Sequence, residues 1–197
     1  MHLYKNAGKR VADVVATIAL APAAAVLTGA AAIAIKLEDG GPVIYRSTRL
    51  GKDMAPFTLF KLRSMSVNAP DVRNADGSTY SAADDPRVTK VGRILRKTSI
   101  DELPQLINVL RGDMSIIGPR PSPTGHEDTY TGSFKRKFEV LPGITGYSQA
   151  VNRNNDTLEE REKTDTFYVD NMSPRLDLEI LFRTAVTVLT SRNLNRS

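Results

Sequence analysis

The stretch "VVATIALAPAAAVLTGAAAIAI", Val14 to Ile35, runs 22 residues without a charged side chain. No other feature narrows the fold as much, because about 20 apolar residues cross the hydrocarbon core of a bilayer. A cleaved signal peptide carries an apolar stretch of only about 7–15 residues. Length therefore favours a resident membrane segment, although Ala21, Pro22 and Ala23 resemble the small residues of a cleavage site. Pro22 stands near the middle, where it removes a helix hydrogen bond and crowds the carbonyl four residues back. Lys5, Lys9 and Arg10 precede the run, and Lys36, Arg46, Arg49 and Lys52 follow it. Cytoplasmic flanks are enriched in Lys and Arg, and here neither end reads as the outside. Two readings stay open. One is a proline-kinked spanning helix, which membranes tolerate, with Glu38 and Asp39 diluting the second flank. The other is a segment that bends at Pro22 and returns to the face it entered. Asp13 is expected to be neutralised by Lys9 or Arg10, on the same helix face.

The whole chain has 197 residues, enough for one domain with a real core. After Lys36 it reads as one continuous unit, so the division is a membrane segment over 1–36 and a catalytic or binding domain over 37–197. There is no cysteine, and His2 and His126 are the only histidines. Disulfides, thiol catalysis and Cys-based zinc sites are excluded, and a His-rich metal site or a Ser–His–Asp triad is disfavoured. Chemistry falls to carboxylates, Lys and Arg, hydroxyls, backbone and a hard metal ion. The formal charge of +5 suits an anionic partner. Aromatic content is 6% with no Trp, a poor basis for the stacking platforms of single-stranded nucleic acid. No nucleic-acid partner is expected.

Strands are expected near 42–48 and 56–63 around the Gly51–Ala55 turn, then a polar loop over 66–87. "VTKVGRILRKTSIDE" reads as a short basic helix followed by a break. Residues 176–189 form an amphipathic helix with Leu178, Leu181, Phe182, Ala185 and Leu189 on one face, suited to core packing or to a membrane surface.

"TSIDELPQLINVL", residues 98–110, places Asp101 and Glu102 just before Pro104. Proline is harmless only among the first helical residues, whose N–H groups have no intrahelical partner. The expectation is a helix starting at Asp101 as N-cap, with Pro104 in the first turn. The helix dipole there favours ionised carboxylates and bound phosphate alike. Capping alone would explain the pair, but Arg93, Arg96 and Lys97 supply more cation than a cap requires. Downstream, Pro119 and Pro121 bracket Arg120 and stiffen it, and Arg suits bidentate phosphate contact. Carboxylates, cations and a membrane segment together suggest phosphoryl chemistry beside a lipid.

The blocks "KRVADVVATIALAPAAA…IKLEDGGPVIYRSTRLG", "FTLFKLRSM", "LRKTSIDELPQLINVLRGDMSIIGPRP" and "LPGITGYSQAVNRN" resemble the bacterial sugar transferase family, the monotopic phosphoglycosyl transferases. The resemblance runs from about residue 5 to about 190, and the short chain is similar to the members that are a catalytic core alone. It implies an α+β fold, mainly helical with a small β-hairpin, carrying an N-terminal re-entrant helix–break–helix at Pro22 and surface amphipathic helices. It also implies transfer of a sugar 1-phosphate from a UDP-sugar to polyprenol (undecaprenyl) phosphate, releasing UMP, at the cytoplasmic face of the bacterial inner membrane. Asp101 becomes the nucleophile that attacks the β-phosphate, and Glu102 its partner. The pair becomes the metal site for Mg²⁺, held chiefly by Glu102.

For substrate, the resemblance and the local chemistry point to Arg120 as a phosphate clamp, with Arg96 and Lys97 beside it. Lys61 and Arg63 on the second strand are candidates for the same site, their alternative being a solvated strand edge. Arg153, between Asn152 and Asn154, reads as a substrate-side loop or a polar turn, and Asp165 as a contact to sugar or metal. Lys135, Arg136 and Lys137 read as a solvated or membrane-facing patch. Many relatives carry Ser before the membrane proline where this chain has Ala21, and Leu62 replaces the commoner Phe. The segment from Asn152 to Phe182 is most similar to members that transfer N-acetylated bacillosamine phosphate. Glucose, galactose and N-acetylhexosamine are the alternatives, and no oligomeric state is implied. Two rival functions stand beside this one: a membrane-anchored basic binding protein, and a Mg²⁺-dependent nucleotide hydrolase using the same carboxylates.

Overall fold

In the computed structural model the described residues are 4–72, 80, 84–125, 127–152 and 157–190. The apolar run lies within one helix, α1 (Lys9–Asp39), preceded by a π-helical turn at Tyr4–Gly8. Its 31 residues make a rod about 46 Å long if straight. It is continuous across Pro22, where a helix–break–helix was expected. Proline removes one N–H from the ladder, and the Ala-rich turns on either side are strong enough helix formers to keep theirs. The helix ends where Gly40 adopts a left-handed φ of 71° and its N–H donates to Lys36 O at 3.0 Å.

Both ends of α1 are tied to the rest of the chain. Near the start, Arg10 donates to the carbonyls of Val109 and Leu110, Lys9 to Asp177 Oδ2 at 2.7 Å, and Asp13 Oδ1 accepts from Ile116 N–H at 3.0 Å. Asp13 is therefore held by a backbone amide rather than neutralised by Lys9 or Arg10, whose side chains reach other elements. Near the end, Ala31 and Ile35 pack in a core cluster with Leu62 and Leu95, Glu38 accepts from Val91 N–H, and Asp39 pairs with Arg63. Residue 36 thus falls inside a helix that runs on to Asp39.

The expected hairpin is β1 (Ile44–Leu50) with β2 (Pro56–Leu62), antiparallel from Ile44↔Leu62 to Leu50↔Pro56. Helix α2 (Lys90–Thr98) follows the polar segment, capped by Thr89 Oγ1. Then come α3 (Gln105–Arg111), β3 (Ser115–Ile117) and β4 (Ser122–Pro123), which pairs with β1 to give the order β2-β1-β4. A 3-10 run at Gly132–Glu139 leads to β5 (Gly143–Thr145), parallel to β3. Helices α4 (Tyr147–Val151), α5 (Leu158–Asn171) and α6 (Pro174–Thr190) complete the chain. Leu62, in the position where relatives carry Phe, is fully buried. On α6 the predicted apolar face is the outward one: Leu178, Leu181, Phe182 and Ala185 are exposed, while Ile180 and Asp177 face inward. The side chain of Leu189 lies outside the described residues.

Candidate active site

Asp101 and Glu102 do not begin a helix. They sit in a separate 3-10 turn, Ile100–Glu102, and α3 starts four residues after Asp101, with Pro104 as its N-cap. The physical reason is Pro104 itself. It has no N–H to return to Ile100, so the α-ladder cannot start at Asp101 and the chain tightens into i→i+3 bonds, Glu102 N to Ser99 O at 3.2 Å and Leu103 N to Ile100 O at 3.2 Å. Ser99 provides the reversal between α2 and this turn through a left-handed φ of 57°. Serine in that region costs about 1–3 kcal/mol, strain that the flanking helices hold in place.

The turn faces β2. Lys61 Nζ lies 2.6 Å from Glu102 Oε1, and Arg120 lies 3.7 Å from the same oxygen. Asp101 is buried, and its carboxylate takes no hydrogen bond among the described residues. Burial pushes Asp101 up to about 6, against Lys61, with Glu102 adding to the rise and Arg96 and Arg120 opposing it. Burial acts on Glu102 in the same direction, but Lys61 and Arg120 outweigh it and hold that carboxyl below its ordinary value. One carboxylate is thus firmly ionised and matched, and its neighbour is a desolvated base held only by charges at a distance.

Arg96 reaches the cluster from the last turn of α2. Its Nε donates to Ser64 Oγ at 2.9 Å, and burial lowers its guanidinium pKa while Asp101 acts against that. The approach depends on Gly92, one turn earlier, where a Cβ would lie 2.0 Å from Ser64 O. Arg120 stands between two prolines on a braced backbone. Gly118 N donates to Thr145 O and Gly143 N to Pro119 O, both at 2.9 Å, and a Cβ on Gly143 would lie 2.1 Å from Gly118 N. That interlock explains why "IIGPRP" and "LPGITG" need their glycines: the two loops share one space.

Other expected site residues go elsewhere. Arg63 is buried and spends its donors on Asp39, Pro42 O and Met65 O, so it ties α1 to the hairpin. Of these two cations, Lys61 alone reaches the pair. Lys97 is exposed on α2 and makes no contact with the pair among the described residues. Asp165 pairs with Lys137 at 2.9 Å, both buried, so Asp165 sits in an ion pair with a lysine of the 3-10 run and Lys137 is not part of a surface patch. Arg136 is likewise engaged, with Asp170 at 2.7 Å. Arg153 lies outside the described residues. Ser64 and Asn108 were not expected, because a small hydroxyl after a strand and an amide inside an apolar helix pattern carry no sequence signal of their own.

The family model for bacterial sugar transferases matches residues 4–191. The chain belongs to the bacterial sugar transferases. Among relatives of this sugar transferase, a UDP-glucose:undecaprenyl-phosphate glucose-1-phosphate transferase of Caulobacter vibrioides is 45% identical over 195 residues, covering 94% of this chain and 71% of that protein. An uncharacterized sugar transferase, EpsL, of Bacillus subtilis is 41% identical, covering 96% of this chain and 91% of its own. A UDP-N-acetylgalactosamine-undecaprenyl-phosphate N-acetylgalactosaminephosphotransferase of Aeromonas hydrophila is 38% identical over 92% of this chain and 44% of that longer protein.

Proposed function

We propose that this sugar transferase moves a sugar 1-phosphate from a UDP-sugar to polyprenol (undecaprenyl) phosphate, giving polyprenyl-diphosphate-sugar and UMP. The observation that carries the reading is the Asp101 carboxylate, buried and, among the described residues, free of hydrogen bonds, beside a Glu102 held by Lys61 and Arg120. A carboxylate so placed is a nucleophile rather than a structural partner. An Asp101 oxygen attacks the β-phosphorus, the bond from that phosphorus to the bridging oxygen breaks, and UMP leaves with the oxygen. The acyl-phosphate sugar then yields its phosphorus to an oxygen of polyprenol phosphate, which returns Asp101 as a free carboxylate. Arg96 and Arg120, with guanidinium donors to spare, serve the phosphates of the two substrates.

The sugar reading moves from bacillosamine to the alternatives. The relatives above are named for glucose 1-phosphate and for N-acetylgalactosamine phosphate, and a galactosyl transferase of Streptococcus agalactiae is 41% identical over 160 residues. A UDP-hexose or UDP-N-acetylhexosamine feeding polysaccharide assembly fits them better. No group of three or more acidic or histidine ligands converges among the described residues. Asp101 and Glu102 fit a Mg²⁺ that arrives with the diphosphate, since Mg²⁺ is commonly held by one or two carboxylates plus substrate phosphates. Such an ion would neutralise diphosphate charge. The test is a screen of UDP-sugars with and without undecaprenyl phosphate, each repeated in excess EDTA. Repeated UMP release that needs both the lipid and the metal is expected, with at most one UMP per protein released when the lipid is left out. Repeated turnover without lipid would show a hydrolase, and no release with any UDP-sugar a binding protein.

Membrane attachment in the monotopic manner, on the cytoplasmic face of the inner membrane, is part of the proposal. Support comes from α1, which is long and apolar enough to enter a bilayer yet has both ends bonded to one folded body. A bilayer about 30 Å thick cannot lie between those ends. Exposed apolar residues include Val26 of α1 at 73% and Phe182 of α6 at 71%, with Ile94 on α2 and Ile107 and Leu110 on α3. Lipid contact would cover such side chains. Single cysteines at Ala7 and Asp53 are expected to resist an impermeant thiol reagent in sealed cells and to react once the inner membrane is opened. Labelling of Ala7→Cys alone in sealed cells would show a span.

A further inference from the structure

Strand β2 lies at the edge of its sheet, and its outer backbone groups need partners that no strand supplies. Asn108 of α3 supplies them. Phe60 N–H donates to Asn108 Oδ1 at 3.1 Å, and Asn108 Nδ2 donates to Thr58 O at 2.7 Å and to Asp113 Oδ2 at 3.1 Å. The carboxamide, fully buried, stands in for one residue of a neighbouring strand. Its backbone carbonyl also accepts from Asp113 N–H at 3.0 Å, so the turn after α3 is fixed to the same point.

The residue after Phe60 is Lys61, which meets Glu102 at 2.6 Å. Glu102 and Asn108 belong to one continuous stretch, the 3-10 turn and α3, so β2 is pinned to that stretch at two places. We propose that Asn108 is a positioning residue for the reacting pair: by clamping the free edge of β2 it sets Lys61 against Glu102. This rests on the reading of Asp101 and Glu102 given above. An apolar side chain of similar size would fill the space but remove both hydrogen bonds that fix the position of β2, and with it the β1–β2 hairpin, on α3. Lys61 would then stand farther from both carboxylates, while Arg96 of α2 and Arg120 after β3, fixed by their own elements, would stay.

The experiment follows UMP release against pH for the full chain in lipid nanodiscs. Removing the ammonium in Lys61→Met lets the pair keep its protons to higher pH, so the acid limb moves up. Asn108→Leu is expected to move the limb the same way, by about half a pH unit or more. The double variant is expected to shift no further than Lys61→Met alone, as for two changes acting through one contact. A packing role alone predicts otherwise: Asn108→Leu would melt earlier with its limb at the wild-type pH, or its shift would add fully to that of Lys61→Met. Either result overturns the proposal. Asn108→Ser, which keeps a donor and an acceptor on a shorter stem, gives the same reading if the leucine variant does not fold. Carboxyl ¹³C signals of Asp101 and Glu102 report the shift without turnover. A protein that released no UMP would therefore sink the reaction and still test Asn108.

Discussion

Lys61 meets Glu102 at 2.6 Å between β2 and the turn before α3, and Lys137 meets Asp165 at 2.9 Å between the 3-10 run and α5. Both are lysine–carboxylate pairs largely removed from water. The second is closed: one cation, one anion, with the Phe134 ring 5.1 Å from the ammonium. The first has a second carboxylate at its side, Asp101, and two guanidinium groups, Arg96 and Arg120, within electrostatic reach. A carboxylate matched one-to-one is committed to holding elements together. Chemistry needs the unmatched arrangement, in which a desolvated carboxylate lacks a direct partner and cations remain for the substrate.

The contrast breaks most sharply on replacing each aspartate by its amide. Asp101→Asn removes the charge of the oxygen proposed to attack, and lipid-dependent UMP release is expected to fall by about 10⁴-fold. Intact mass measurement should show a sugar-phosphate adduct on wild type given UDP-sugar alone, and none on the variant. Asp165→Asn, in the fraction that folds, should turn over within about threefold of wild type, as expected for a group acting only through stability. Equal losses at the two positions would mean that burial and pairing do not separate the roles as argued.

The same pairs differ in what they contribute to stability. Asp165→Asn leaves a buried ammonium without its counter-charge, a loss of about 3–5 kcal/mol. Replacing both partners, Asp165→Leu with Lys137→Met, should recover most of that, because the paired desolvation cost disappears with the pair. Denaturant unfolding in detergent measures both. A double variant no more stable than the single would show that Asp165 has a further partner.

Much of this was legible in the sequence. The hairpin, α2, α6 and the apolar helix follow from alternation, helical spacing and length, and the charges beside proline single out Asp101, Glu102, Arg96 and Arg120, which the fold does bring together. Other features were not. Pro104 is compatible with the first turn of a helix at Asp101, yet the same missing N–H that permits that placement also permits a separate 3-10 turn. Lys61 on β2 and Arg63 just past its end stand two apart, and which of them reaches the pair depends on Asp39, a residue on a different element. For Asp165, an acid in a helix carries no sign of the lysine that meets it from 28 positions earlier. Partner identity across long separations is a tertiary property, and periodicity does not encode it.

The smallest effect concerns pH, and here the neighbouring carboxylates Asp101 and Glu102 should move in opposite directions. Burial raises Asp101 from an ordinary 3.8 to about 6, so the folded protein holds that proton more tightly than the unfolded chain. Below about pH 4 both states are protonated and the group costs nothing. As pH rises from about 4 through about 6 the folded state must ionise a buried carboxyl, and stability falls by about 2–3 kcal/mol, a cost that persists above. Asp101→Asn removes it. The variant is expected to be more stable than wild type at pH 8 by about that amount and to match it near pH 4. Glu102→Gln has the other sign, because Lys61 and Arg120 hold Glu102 low and its charge stabilises the fold above its ordinary titration range. Thermal melts at pH 4 and pH 8 decide between them. An Asp101→Asn protein less stable than wild type at pH 8 would mean that the aspartate has a partner in solution, and that its apparent readiness to attack is not built into the fold.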